Sequence, residues 1–342
     1  MSSFSTKIKI FLLDNLIWVL FLLLFFVDAI SVPHFFSFEN IVNIFYHISS
    51  LGLLVLAEGL VLITGQIDLS VESTLVFAPG VALLICNAIS PTTSPAIMII
   101  LSLAIGFCIG ILNGMLITGF KMNSLLVTLA TNMILRGLVY FLLPFSIVNL
   151  APGFVYLGSQ RVFDKIPVAV FILIGIYIIF TIFMAQSRFG RFLVATGGNP
   201  RASYIAGIKT NQIIVIAFGI AGVLAALAGI LAAGRQGSVT NSMGIGQSIL
   251  AIAGPILGGV SLLGGRGTVY GMLGGALLLS LFDNSLTLMA VNVYLVSVVK
   301  GGLILLAIIL DSLKIKLRTM ILYRERVKFL KSTAQVQEPS IH

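Results

Sequence analysis

The sequence predicts an all-α fold: a polytopic membrane helix bundle of about ten transmembrane helices, with both termini in the cytoplasm. Three observations carry that expectation. Hydrophobic residues fill 58% of the 342 positions and charged residues only 9%. A soluble domain carries about 25% charged residues because its surface must be wetted, so this apolar excess faces lipid. Disordered chains are polar and charge-rich, and the same composition excludes them. Second, the apolar residues form continuous runs of about 20, the length that crosses a bilayer as a helix, without the alternation of barrel strands. Third, the basic residues divide unevenly between the two faces those runs define.

The runs are 12–31, 45–64, 73–89, 96–118, 124–143, 166–185, 212–233, 247–263, 268–288 and 292–310. The first follows Lys7 and Lys9. It exceeds the roughly 7–15 apolar residues of a signal peptide and lacks an A-x-A site, so it reads as a retained span. Pro33, Pro91, Pro95, Pro144, Pro152, Pro167 and Pro200 separate the runs. Ten spans put both ends on one side. Taking that side as cytoplasmic places Lys7, Lys9, Lys121, Arg188, Arg191, Arg201, Lys209 and Arg266 inside, with seven more Lys and Arg in the tail. Outside are Arg161, Lys165 and Arg235, while Arg136 and Lys300 fall within spans. The positive-inside rule selects this orientation. Residues 1–311 then form one transmembrane domain and 312–342 a basic cytoplasmic tail. The net charge of +9 suits anionic headgroups rather than nucleic acid. Loop 144–165 is the longest external connection and loop 186–211 the longest internal one.

Small residues at four-residue spacing share a helix face and let backbones approach where lipid supplies no drive for association. Gly106, Gly110 and Gly114 form one such stripe, and Gly267, Gly271 and Gly275 another. They serve packing within the chain or at a subunit interface.

Glu58, Asn113, Asn132, Arg136, Asp283, Asn284 and Lys300 lie inside the predicted membrane. A charge at the bilayer centre costs about 2.5–3.5 kcal/mol on insertion scales, so these groups face the protein interior or a wet cavity. Arg136 and Asp283 both fall in outer halves, where a pair between them is expected. Lys300 is a second partner for Asp283, and Glu58 has no evident one. Such groups either contact a polar solute or fix helix register. Leu135-Arg136-Gly137 resembles Val299-Lys300-Gly301 five helices later, in keeping with an inverted repeat.

Catalytic signatures are missing. There is no G-x-x-x-x-G-K-[ST] to cradle a nucleotide, no H-E-x-x-H and no G-x-S-x-G. Cys86 and Cys108 lie in apolar runs and read as buried free thiols, and the three histidines are isolated. No metal or other cofactor is expected. In loop 186–211, Asn199 and Pro200 fit an N-cap and first helical position. A short helix over 200–206 follows, with Gly207 as its stop.

Three segments carry a family resemblance. Phe189-Gly190-Arg191, then Ala195-Thr196-Gly197-Gly198-Asn199-Pro200, Ala202 and Gly207-Ile208, resembles the coupling region of ribose- and autoinducer-2-type ABC importer permeases. Gly65-Gln66-Ile67-Asp68-Leu69-Ser70-Val71 is similar to that family's motif after its second span. Leu257-Gly258-Gly259-Val260-Ser261-Leu262-Leu263-Gly264-Gly265-Arg266-Gly267 resembles its late glycine-rich turn. Gln66, Glu72 and Pro255 depart from the pattern. The resemblance spans about residues 45–311.

It implies a multi-pass permease of the prokaryotic inner membrane that forms the pathway for a monosaccharide or related small polyol. A second permease, identical or homologous, would complete the pathway. Separate ATPase subunits would dock at Gly190, Arg191, Gly197, Gly198, Asn199, Pro200, Arg201, Ala202 and Gly207. An extracytoplasmic binding protein would deliver the solute. Asp68 joins Glu58, Asn132, Arg136, Asp283, Asn284 and Lys300 as a pathway candidate. An ion-coupled secondary transporter and a membrane scaffold are the competing readings, and neither uses the coupling-like loop.

Overall fold

The computed structural model describes residues 15–302 except Pro91, Asn149 and Val293, with scattered positions from 305 to 323. The helices are α1 (Leu16–Ser31), α2 (Phe38–Ile63), α3 (Val71–Ile89), α4 (Pro95–Gly119), α5 (Ser124–Leu142) and α6 (Pro152–Ser159). After a two-residue hairpin, β1 (Arg161–Val162) and β2 (Ile166–Pro167), come α7 (Val168–Gln186), α8 (Arg188–Gly198), α9 (Pro200–Ile205) and α10 (Thr210–Gln236). Then follow α11 (Gln247–Leu257) and α12 (Val269–Leu288). Residues 294–302 are helical again. The chain is a polytopic helical bundle, as its composition predicts. Among the described residues seven helices are long and apolar enough to cross a membrane: α2, α3, α4, α5, α7, α10 and α12. The shorter α1 and α11 are also apolar. The rest of run 292–310, most of tail 312–342 and residues 1–14 lie outside the described residues.

Burial sorts these helices into layers. In α2 and α10, 78% and 72% of the most apolar stretch is buried, against 22% in α4, α5 and α7. The first two therefore form the centre and the others the outer shell. Local signals set the helix ends. Ser37 caps α2, accepting from the Asn40 N–H at 3.2 Å, so α2 starts seven residues before its apolar run. Thr268 caps α12 through the Gly271 N–H at 3.0 Å.

The glycine stripes pack within the chain. A Cβ on Gly106 or Gly110 would overlap the carbonyl oxygen of Gly222 or Phe218 on α10, and one on Gly114 would lie 2.7 Å from the Val215 Cα. On α12, Gly271 and Gly275 seat the carbonyls of Gly258 and Gly254. Gly267 precedes the Thr268 cap, so it belongs to the turn and not to that helical stripe.

Two expectations need correction. Run 247–263 is not a full span. Its helix stops at Leu257 after 11 residues, about 17 Å at 1.5 Å per residue, against a hydrocarbon core of about 30 Å. Residues 258–268 are turn, because Gly258, Gly259, Gly264, Gly265 and Gly267 favour loop over helix there. Second, the first half of loop 186–211 is the helix α8, capped by Ser187.

Two irregular segments lie against α5. Between α2 and α3, the Ile67 N–H donates to Ser124 Oγ and the Leu69 N–H to Thr128 Oγ1, while Ser73 Oγ donates to Asn132. The chain thus climbs α5 turn by turn from its first residue. From the opposite end, Val239 pairs with Ile147 just past α5. The Asn241 and Met243 carbonyls then accept from Arg136 at 3.1 Å each. Non-helical backbone survives at membrane depth only where protein groups satisfy it, and the polar face of α5 does so for both segments.

Candidate functional site

The two segments meet at Glu72. Its Oε1 is 3.2 Å from Arg136 Nη2. Its Oε2 accepts from the Gly246 and Ser248 N–H groups at 3.1 Å and from Ser248 Oγ at 2.8 Å. The carboxylate thus sits on the first turn of α11, where unpaired amides and the helix dipole favour an anion. This corrects the expected Arg136–Asp283 pair. Arg136 bonds Glu72, a position the sequence marked only as a departure from the family pattern.

Glu58 and Asp68 come together in the interior. Both Glu58 oxygens lie 3.2 Å from the Asp68 nitrogen, so the residue that lacked an evident partner holds the α2–α3 connection near its C-terminal end. Asp68 Oδ1 accepts from the Ser70 N–H at 2.9 Å and Ser70 Oγ at 2.6 Å. Asn113 donates to Ser70 Oγ at 2.9 Å and accepts from Thr131 at 2.7 Å. Asn284 exchanges hydrogen bonds with Asn40 at 3.1 and 2.8 Å. Asn132 bonds Ser73. None of Glu58, Asp68, Asn132, Arg136 and Asn284 lines the cavity described next.

A cavity of about 480 Å³ lies between α2, α10, α11, α12 and segment 294–302. Asp283 and Lys300, two of the sequence candidates, border it and pair at 2.7 Å. The Arg235 guanidinium lies 2.7 Å from His47 Nε2 and 3.0 Å from Nδ1, and it sits 5.2 Å from the centre of the Tyr46 ring. It donates to whichever ring nitrogen lacks a hydrogen. Gln247 also lines the cavity, and its buried side-chain oxygen has no hydrogen-bond partner among the described residues. Sequence reasoning missed His47, Arg235 and Gln247. A usable signal was present for the first: His47 and Ser50 lie three apart on one face of α2. Cys86 is buried as expected, whereas Cys108 is exposed on α4.

At the opposite end of α2 the three sequence motifs converge. The Gly265 N–H donates to the Ile63 carbonyl at 2.8 Å. A Cβ on Gly197 would overlap that same carbonyl oxygen and lie 2.6 Å from the Gly265 nitrogen. One on Gly264 would lie 2.7 Å from the Gly65 nitrogen and 2.9 Å from the Gly197 carbonyl oxygen. Beyond this contact, Asn199 Oδ1 caps α9 through the Ala202 N–H at 2.9 Å, and Gly207 follows with φ of +85°, as expected for a helix stop. Arg191, Gly198, Pro200, Arg201 and Ala202 are exposed, and Gly190 and Gly197 are buried. Tyr204 and Ile205 stand out from α9, 71% and 78% exposed.

Comparison with known proteins places this architecture. Residues 40–308 match the family model described as a branched-chain amino acid transport system permease component. The chain belongs to that permease family. It is 32% identical to the ribose import permease of Escherichia coli (strain K12) over 311 residues, 90% of this chain and 96% of the relative. The galactose/methyl galactoside import permease of Salmonella typhimurium (strain LT2) is 32% identical over 332 residues, 91% and 96% of the two chains. The L-arabinose transport system permease of Escherichia coli (strain K12) is 33% identical over 307 residues, 87% and 90%. This permease is a multi-pass inner-membrane protein.

Proposed function

We propose that this permease is the transmembrane subunit of an ABC importer for a monosaccharide or similarly small polyol. The observation that carries the reading is α9: a capped helix that presents Tyr204 and Ile205 to solvent and follows α8, whose Gly197 is seated directly on the end of α2. It is a lever for a soluble partner, and an ion-driven carrier has no use for it. With the basic Arg188, Arg191, Arg201 and Lys209 around it, that end is cytoplasmic by the positive-inside rule. ATP hydrolysis then belongs to a separate subunit docked on α8 and α9, and a binding protein supplies solute at the cavity end. A second permease completes the pathway. The cavity offers donors and acceptors from His47, Arg235, Gln247, Asp283 and Lys300, the chemistry that hydroxyl groups need. The relatives' ribose, galactose and arabinose set the substrate class. Reconstitution with the ATPase and binding protein tests the whole reading. ATP-dependent uptake of labelled D-ribose, D-galactose or L-arabinose is expected. Uptake driven by an ion gradient without the ATPase overturns it.

A further inference from the structure

Three helices run from the cavity to the glycine contact. α2 carries Tyr46 and His47 on the cavity wall and Ile63 at its C-terminal end. α11 carries Gln247 at its start and leads into the turn with Gly264 and Gly265. α12 leaves that turn and carries Ser280 and Asp283 on the cavity wall. α2, through Ile63, and the turn that joins α11 to α12, through Gly265, meet α8 at Gly197, two residues before the Asn199 cap. Nor is there slack between α8 and α9, because Ser203 Oγ donates to the Ala195 carbonyl at 2.8 Å.

We propose that Ile63, Gly197, Gly264 and Gly265 form a backbone joint that transmits displacement of α9 to the cavity, and that position 197 admits only glycine for this purpose. Side-chain contacts absorb small shifts by changing rotamer; a contact of backbone on backbone has no rotamers to change. Packed interfaces switch between discrete arrangements rather than deform continuously, so a joint without side chains passes a small shift on. The neighbouring glycine provides the contrast. A Cβ on Gly198 would meet only the Gly265 Cα, at the ordinary contact distance of 3.9 Å. Joint and docking helix are therefore separable: Gly197 carries the motion, and exposed Tyr204 and Ile205 carry the partner.

The inference rests on the importer reading, and one experiment separates the two. Ser280→Cys, in a background with Cys86→Ser and Cys108→Ser, reports cavity access through labelling by a membrane-impermeant maleimide. The complex with its ATPase is compared with and without ATP and vanadate. In Gly197→Ala the ATPase should still co-purify, while the nucleotide-dependent change in labelling shrinks by about tenfold, the scale of ordinary coupling between sites. Gly175→Ala on α7, where an added Cβ meets nothing, should keep the full response. Gly198→Phe, which wedges the joint from its exposed side, should lose it, and this variant carries the test if Gly197→Ala does not fold. A full response in both Gly197→Ala and Gly198→Phe, or a loss in Gly175→Ala equal to that in Gly197→Ala, overturns the joint. Failure of the unsubstituted chain to bind the ATPase overturns the importer reading beneath it.

Discussion

At the scale of residues, the intramembrane charges divide by what they touch. Glu72 and Arg136 are 11% and 13% exposed and share their oxygens and nitrogens with the backbone that runs from Asn241 into the first turn of α11. Asp283 and Lys300 are 39% and 31% exposed and border a cavity. Removing one member of a buried pair costs about 3–5 kcal/mol, because the survivor is left uncompensated; a pair as exposed as the second is worth at most about 1 kcal/mol. Arg136→Met should therefore lower the melting temperature in detergent clearly more than Lys300→Met. Adding Glu72→Gln to Arg136→Met should recover part of the loss, since the amide oxygen still accepts from α11. Equal melting of the single and double variants would refute this account. The sequence offered Lys300 as a partner of Asp283, which the structure bears out, but not Glu72 as the partner of Arg136. Arg136 and Glu72 lie 64 positions apart, and no periodicity links them. One pattern was readable: Ser124, Thr128, Asn132 and Arg136 recur every four residues as the polar stripe of α5.

Helices are legible in proportion to how much lipid decides them. The apolar runs located α3, α4, α5, α7, α10 and α12 within a few residues, because composition alone commits such segments to the bilayer. α8 escaped notice because Gly197 and Gly198 argue locally against a helix, and tertiary contact at Gly197 overrides that preference. The α4–α10 stripe was legible from spacing, and its partner was not. Gly110→Val places atoms on the Phe218 carbonyl and should destabilise by about 1–3 kcal/mol, as overpacking does. Gly137→Ala, where an added Cβ meets nothing, should be neutral or gain up to about 1 kcal/mol of helix preference. Thermal melting of the two proteins side by side checks this. Equal stability of both would mean that α4 and α10 do not rely on close backbone approach.

For the molecule as a whole, the charge distribution makes the sharpest statement. Arg201 on α9 and Phe163 in the β1–β2 turn lie in connections that the basic residues assign to opposite faces, and both are exposed. Arg201→Cys should react with an impermeant thiol reagent only in inside-out vesicles, and Phe163→Cys only in right-side-out ones. Labelling of both from one side would invert or break the proposed topology. The motifs that suggested the family were scattered along the chain, and their common meaning is spatial: Ile63–Gly65, Gly197–Gly198 and Gly264–Gly265 meet at one point. That convergence of small residues was not readable, because a glycine in sequence does not say whose carbonyl it accommodates.

The shortness of α11 bears on how the protein is made. A segment of 11 residues is a poor stop-transfer signal, since the insertion machinery partitions helices of about 20 residues into lipid. Residues 237–268 are thus expected to be threaded into a bundle already present. The order of synthesis provides for this. Glu72 and Arg136, which receive the first turn of α11 and the backbone leading to it, leave the ribosome more than a hundred residues earlier. The chain builds the socket before it makes the plug.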